Sequence, residues 1–513
     1  MTISNVTNLN NTNGLISASG SLNIKNVESL INTAMSTIQA ANNFLISNVT
    51  TLKNSDGSVL SSQDTMTLDA VKNILNDATS EIVSENALNI AHADYIENAG
   101  RIQSNSNLSI KDVITLLNTG ESALIAGLDN LTIENISNLS NTDKAAISAG
   151  LQLVLNSIDT LINNAALIQS EDGMTINASN LKNVAGNIQS YGDIVLNITH
   201  ALENLSASGI DEYGNPAVFG GNLLADGTID IHAETLVNNS EINATNILIN
   251  ARDVNNTSGN IEGYETTALK VTNDFINKDG TVRGNDRMSL DLDKDFVFDD
   301  NAGSLLTLEE LSIHSDGNIS VRNSLESMGD IILDAGKDIT NYFAIVSNQD
   351  ITLKGKNIIN AFNPATVDSQ GNPVQAMSSL IWAFGNVNID AREGTFQNQK
   401  YGNVLSVGNM SIIAKEIINN AGIIRSQGDM ALDAQSIKNL SEYSGGDWKN
   451  GPIQEGSGSI EDYEKAATYV SWSINTYLPT LSSDITLLTR AEISSAGKMD
   501  INQKGIFENT ESN

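Results

Sequence analysis

The sequence predicts an all-β fold, a right-handed parallel β-helix (a solenoid) with coils of about 20–22 residues. Three observations predict it. Asparagines recur at fixed intervals, as from Asn11 to Asn32, Asn54 to Asn76, Asn163 to Asn183 and Asn419 to Asn439. Short apolar-x-apolar triplets recur between them along nearly the whole chain. The composition suits many short strands joined by polar corners: there are 38 Gly and only 5 Pro, and Asn is over-used. Asn and Gly both tolerate the positive φ of tight corners.

The triplets come first. Leu108-Ser109-Ile110, Leu131-Thr132-Ile133, Met174-Thr175-Ile176, Met288-Ser289-Leu290, Ile351-Thr352-Leu353, Met410-Ser411-Ile412 and Met499-Asp500-Ile501 each place one side chain inward and the next outward. A second fragment, Gly-x-Ile-x-Ser, appears at Gly100 to Ser104 and Gly186 to Ser190, and in variant form at Gly259 to Gly263 and Gly280 to Gly284. Residues 418–439 hold the clearest full unit: Ile-Asn-Asn, a Gly-Ile-Ile-Arg-Ser step, a Gly-Asp turn, Met-Ala-Leu, then Ile-Lys-Asn. Strands of three to five residues cannot bury themselves alone. Stacking the next unit pairs each strand with its copy, in parallel, at ~4.8 Å. Ile, Leu and Val then form columns, and equivalent Asn amides hydrogen-bond along theirs. Helical repeats are excluded because they need ~33–47 residues and a 3.6 period. On the order of 20 coils at ~4.8 Å each predict a rod of about 100 Å, open at both ends.

The organisation expected along the chain is as follows. Residues 1–160 are degenerate coils, since stretches such as Asn26 to Thr50 lack the Gly-Asp turn. Residues 161–440 carry the regular repeat, broken by insertions at 206–221 and 361–379. An aromatic-rich insertion fills 441–484, and coils resume over 485–513. The first two breaks share an Asp-x-x-Gly-Asn-Pro core, Asp211 to Pro216 and Asp368 to Pro373, which predicts hairpin tips. Within the third, Glu461 to Thr476 is expected to form a short helix. Aromatic residues make up 4% of the chain, so their concentration in the breaks points to contact surfaces. The candidate partner-binding residues are Tyr213, Phe219, Trp382, Trp448, Tyr463, Tyr469, Trp472 and Tyr477. The alternative is that these rings pin loops onto the coils.

Charge and chemistry narrow the function. The formal net charge is −34, from 61 acidic and 27 basic residues. No cluster of Lys and Arg exists to track phosphates, which argues against nucleic acid and anionic lipid as partners. Without cysteine, neither disulfides nor thiolate metal sites hold the fold. No run of about 20 apolar residues predicts a membrane-spanning helix. Met1-Thr2-Ile3 opens no signal peptide and reads as mid-repeat, so Met1 is taken as added to an excised stretch. His92, His200, His232 and His314 share no metal-ligand spacing. No nucleophile elbow, Walker loop or dinucleotide fingerprint occurs. The densest acidic run begins with Asp291, Asp293 and Asp295, which a continuous strand would project to one side. Such carboxylates could hold Ca²⁺ or hydrolyse a glycan by acid/base chemistry; a solvated face is the plainer account. No catalytic residue and no cofactor is expected, and the rod is not expected to be an enzyme.

The unit at 418–439, with 163–183 and 398–419, resembles the haemagglutinin repeat of filamentous haemagglutinin. The same repeat fills the shafts of contact-dependent growth inhibition effectors of the CdiA type. The resemblance covers nearly the whole chain, patchily before residue 160. It implies a β-helical shaft of a large exoprotein on the surface of a Gram-negative bacterium, or secreted from it. It further implies export by the two-partner route through an outer-membrane TpsB-type transporter, and an adhesive or toxin-delivering role toward a receptor on a target bacterial or host cell. The Val-Glu-Asn-Asn sequence that introduces the effectors' toxin module is absent. So is Arg-Gly-Asp, since Arg283-Gly284 is followed by Asn285.

Overall fold

A computed structural model describes residues 1–211, 213–299, 302–363, 366–367, 373–374, 377–444 and 486–510. The chain divides into two compact units, Met1–Gly284 and Asn285–Asn513. Each is a parallel β-solenoid, and the described residues contain no helix. The Glu461–Thr476 helix expectation falls outside the described residues.

In the first unit most coils consist of one long and one short strand. Leu22–Thr33 and Thr37–Ala40 form one coil, and Phe44–Asn54 and Val59–Ser62 the next. The two stack in register: Leu22 pairs with Phe44, Ile24 with Ile46, Val27 with Val49, Leu30 with Leu52 and Asn32 with Asn54. The long strand is two of the predicted short runs joined without a break. At the joint stands one residue in the left-handed region: Asn5, Asn26, Asn48, Ala70, His92, Asp112, Asn135 and Ser157 all have φ between 53° and 60°. This residue resets the in–out alternation. Ile24 and Val27 therefore both face inward across Lys25 and Asn26, and the strand turns a corner while its ladder continues. From Ser157 to the next coil this corner residue is dropped. Leu155 pairs with Ile176 but Ile158 pairs with Ala178, so the coil shortens.

The short strand gives the core its most regular column. Ile38, Leu60, Ile82, Ile102, Ile125, Ile147, Ile168, Ile188, Leu223, Ile242, Ile261 and Val282 are all fully buried. Each such side chain contributes roughly 1.5–3 kcal/mol on burial. Two residues on, buried serines supply a polar seam. The hydroxyl of Ser62 donates to the Asn42 and Thr65 carbonyls, and that of Ser84 to the Asp64 and Ala87 carbonyls. Later coils keep this serine beside their Gly-Asp turn: the hydroxyl of Ser426 donates to the Gly408 and Asp429 carbonyls.

The spacings that announce the repeat are rungs of one buried ladder. The Nδ2 of Asn11 donates to Asn32 Oδ1 at 2.8 Å, Asn54 to Asn76 at 2.9 Å, and Asn163 to Asn183 at 2.8 Å. The column runs on to Asn277. Each amide also reaches backbone carbonyls at its corner, as Asn32 does with Ser36 at 3.2 Å and Val59 at 3.1 Å. The corners are filled as tightly as the core: a Cβ on Gly186 would fall 2.5 Å from Asn163 Nδ2 and 2.8 Å from Asn183 Oδ1.

In the earlier coils of the second unit the long strand divides in two, giving three separate strands per coil; from Val387–Asn398 onward it is continuous again. Glu310–Ser315, Ile319–Val321 and Ser324–Ser327 stack on Asp330–Ala335, Asp338–Asn341 and Ala344–Ser347. The Asn ladder runs from Asn341 through Asn360, Asn398, Asn419 and Asn439 to Asn509, each bond 2.7–2.8 Å. Earlier coils of this unit place Phe298 and Val321 at the rung position, in register with Asn341. A second ladder explains the Gly-Asp and Gly-Asn turns. Asp350 accepts the Asn386 N–H at 2.7 Å, Asn386 that of Asn409 at 2.8 Å, Asn409 that of Asp429 at 2.9 Å, and Asp429 that of Lys498 at 2.8 Å. The accepting oxygen occupies the space a side chain would need on the preceding glycine. A Cβ on Gly428 would lie 2.5 Å from Asn409 Oδ1.

Candidate functional site

The breaks in the repeat leave the coil at equivalent corners, directly after a ladder asparagine. In the first unit, Ala207–Ile210 and Pro216–Phe219 form an antiparallel hairpin between Asn204 and Asn222. Asn204 still bonds Asn238 at 2.8 Å, although 34 residues separate them. In the second unit, Asn360 bonds Asn398 across one insertion, and Asn439 bonds Asn509 across another, both at 2.8 Å. The solenoid closes under each insertion as if it were not there.

The hairpin's geometry is local. Asp211 accepts the Tyr213 N–H at 2.9 Å and the Asn215 N–H at 2.8 Å, and Gly214 takes φ of +83°. The Asn215 N–H, with help from its amide and from Tyr213 and Gly214, holds the Asp211 carboxyl below the usual range. Tyr213 stands at the tip, 80% exposed. Phe219 folds back across Gly209, where a Cβ would meet its ring at 2.9 Å. Ile210 and Val218 are each 71% exposed, and the pairing puts them on the face of the hairpin opposite Phe219.

In the second unit the feet of two insertions meet. The Phe362 ring packs edge-on against Tyr401 at 5.8 Å, and its N–H donates to Gln399 Oε1 at 3.0 Å. Lys400 pairs with Glu442 at 2.5 Å and lies 5.1 Å from the Tyr401 ring centroid. The Glu442 carboxylate raises the Lys400 pKa. Three rungs separate Asn360 from Asn439, about 14 Å at ~4.8 Å per coil. Trp382 lies in the strand Leu380–Ala383, half-buried and facing outward between Val346 and Leu405. Trp448, Tyr463, Tyr469, Trp472 and Tyr477 fall outside the described residues.

Asp291, Asp293 and Asp295 do not share a strand face. The strand Arg287–Leu292 ends before the second of them. Asp295 belongs to a turn, where it accepts the Asn318 N–H at 2.8 Å and the Asn318 amide at 3.2 Å. The Asn318 N–H, then its amide, lowers the Asp295 pKa, and Lys337 adds to this. Among the described residues no three His, Cys, Asp or Glu side chains converge as a metal site.

One concave feature lies on no break. A groove of about 300 Å³ in the first unit runs beside the short strands Leu167–Ser170, Asn187–Ser190 and Asn222–Ala225. Tyr191 and Tyr264 flank it, 65% and 60% exposed. Sequence reading passes over these tyrosines because they stand 73 positions apart in ordinary coils. The signal was available in the register: each is the residue that follows the outer end of the short run, at Ser190 and at Gly263.

Comparison with known proteins agrees with this architecture. No family model and no solved structure matches the chain. Over 131 residues, 25% of the chain, it is 29% identical to the filamentous hemagglutinin of Bordetella pertussis (strain Tohama I). The likeness fits a haemagglutinin-repeat shaft. The matched stretch covers 3% of the length of that curated relative.

Proposed function

We propose that this chain is a stretch of the extracellular shaft of a large two-partner secreted surface protein, and that it is not itself an enzyme. Such a shaft holds a binding or toxin element away from the surface of a Gram-negative cell. The observation that carries this reading is the coil-to-coil ladder, which repeats with little change and passes unbroken beneath each insertion. The likeness to filamentous hemagglutinin supports it. The parent protein on this reading is an adhesin; a contact-dependent growth inhibition effector would need the same shaft. A chain without cysteine whose coils contact only their neighbours suits export unfolded through an outer-membrane TpsB-type transporter, with coils folding one on another outside. Antibodies raised against the 513-residue chain should label intact cells of the source bacterium and lose that labelling when the transporter gene is deleted. Labelling that needs permeabilised cells overturns the reading.

The meeting of insertion feet at Tyr401, Lys400 and Glu442 favours a second role, in which the insertions bind a receptor on a target bacterial or host cell. Deleting residues 441–484 should then abolish attachment to target cells; unchanged attachment removes that insertion from the account.

A further inference from the structure

The groove flanked by Tyr191 and Tyr264 is built differently from the rest of the solenoid surface. Its floor is the outward face of successive short strands. Gln189 donates to Gln169 Oε1 at 3.2 Å, and Gln169 in turn to Ser148 Oγ at 3.1 Å. The amides are thereby held in a row. Leu224 supplies an apolar patch beside them, and Asn243 and Asp226 complete the polar lining. Tyr191 and Tyr264 occupy the same position three coils apart, with Asp226 and Thr245 at that position between them. At ~4.8 Å per coil the two rings stand about 14 Å apart. Both belong to paired, stacked coils, so the site is rigid before any ligand arrives.

We propose that this groove binds a neutral oligosaccharide chain. A pyranose ring presents an apolar C–H face and a rim of hydroxyls. The exposed faces of Tyr191 and Tyr264 suit the first. Amides that both donate and accept, with one carboxylate that accepts, suit the second. A half-open groove with apolar patches and a few convergent polar groups is the usual form of a small-ligand site. The spacing of the rings selects an oligosaccharide over a monosaccharide, since one sugar cannot reach both. The charge selects neutrality: Asp226 lines the groove and no Lys or Arg does, so a sulfated or uronic polymer would be repelled. A peptide strand gains nothing here, because side chains, not an open backbone edge, form the lining. The site stands whether or not the chain serves as a secreted shaft.

Affinity electrophoresis of the full chain through gels containing hydroxyethyl cellulose, galactomannan or laminarin tests this, with dextran sulfate as the anionic comparison. Retardation by at least one neutral polymer is expected. Tyr191→Ala and Tyr264→Ala should each weaken it about tenfold, while Tyr191→Phe and Tyr264→Phe, which keep the ring, retain it. Both tyrosines are exposed, and circular dichroism should show all four variants folded as the parent is. Three results overturn the proposal: no retardation by any neutral polymer, retardation that survives both alanine variants, or stronger retardation by dextran sulfate.

Discussion

Replacing Asn163 by Ala tests the ladder directly. Its side chain is fully buried. It accepts from Asn141 at 2.9 Å and donates to Asn183 Oδ1 at 2.8 Å, to the Ala166 carbonyl at 3.1 Å and to the Asn187 carbonyl at 3.2 Å. Truncation strips the donor from Asn183 Oδ1 and removes one bond from each carbonyl. Asn141 keeps its bonds to the carbonyls of Ala145 and Leu167. A buried polar group left unpaired costs about 1–3 kcal/mol. The amide oxygen, the weakened carbonyls and a small void together come to about 3–4 kcal/mol. The neighbouring Asn164 is exposed, so Asn164→Ala should stay within about 0.5 kcal/mol. A whole-chain denaturant midpoint reads this poorly, because long repeat arrays do not unfold in two states. Hydrogen exchange resolves it coil by coil. Protection between Asn141 and Asn204 should fall by roughly two to three orders of magnitude, at 1.4 kcal/mol per decade. Protection between Asn32 and Asn76 should hold, because each coil contacts only its neighbours. A loss under tenfold, or one as large at Asn32–Asn76 as at Asn141–Asn204, refutes the ladder as the local stabiliser.

Two further outcomes follow from the corner ladders. Gly428→Ala pushes a methyl to 2.5 Å from Asn409 Oδ1 and 2.8 Å from the Gly408 carbonyl, and should lower hydrogen-exchange protection in the coils around Gly428 by about 1–3 kcal/mol; Gly20→Ala meets nothing within 4 Å and should be neutral. Asp295 has its pKa lowered by the bonds from Asn318, so its contribution to stability is complete above its unfolded value of about 3.9 and is lost as pH falls through the lower folded value. Asp295→Asn keeps an acceptor, as Asn318 does for the Asp338 N–H at 3.3 Å; melting curves of parent and variant should therefore converge as pH drops below about 4, and a constant gap down to acid pH contradicts the assignment.

The parts of the fold legible in the sequence were those where one residue type fills a position in nearly every coil. A buried rung must both donate and accept along the axis while filling its corner, which Asn does; so the four spacings read from the sequence are four observed bonds. The inward Ile of Gly-x-Ile-x-Ser is equally plain, since Ile102 and Ile188 lie between outward neighbours. The left-handed corner column was not legible. Ala70, His92 and Ser157 occupy it beside Asn26 and Asn48, because the ladder bonds on either side set that φ and the residue only tolerates it. The acidic run misled for a related reason. Alternation was carried from Asp291 to Asp295, but the strand stops at Leu292, and a turn follows in which Asp295 binds backbone. The tyrosine groove is a property of register, which no local window contains.

The same physics explains why insertions collect at one corner. The rung and the short strand on either side of an insertion bond to the coils above and below, not to the inserted segment. Lengthening that connection therefore costs only loop-closure entropy, about 0.6 kcal/mol per doubling. The hairpin in the first unit puts this to a sharp test. Deleting residues 207–220 joins Asn204-Leu205-Ser206 to Gly221-Asn222, the layout already present at Asn256-Thr257-Ser258-Gly259-Asn260. There Ser258 adopts φ of 58°, so Ser206 can take the same corner. Removing these 14 residues shortens the 34-residue step between rungs Asn204 and Asn238 to 20, the step from Asn163 to Asn183. The shortened chain should keep the Asn204–Asn238 bond and change stability by less than about 1 kcal/mol, read as unchanged exchange protection at Asn204 and Asn238. A loss of more than about 2 kcal/mol would mean that the hairpin, through Phe219, belongs to the core that it otherwise only decorates.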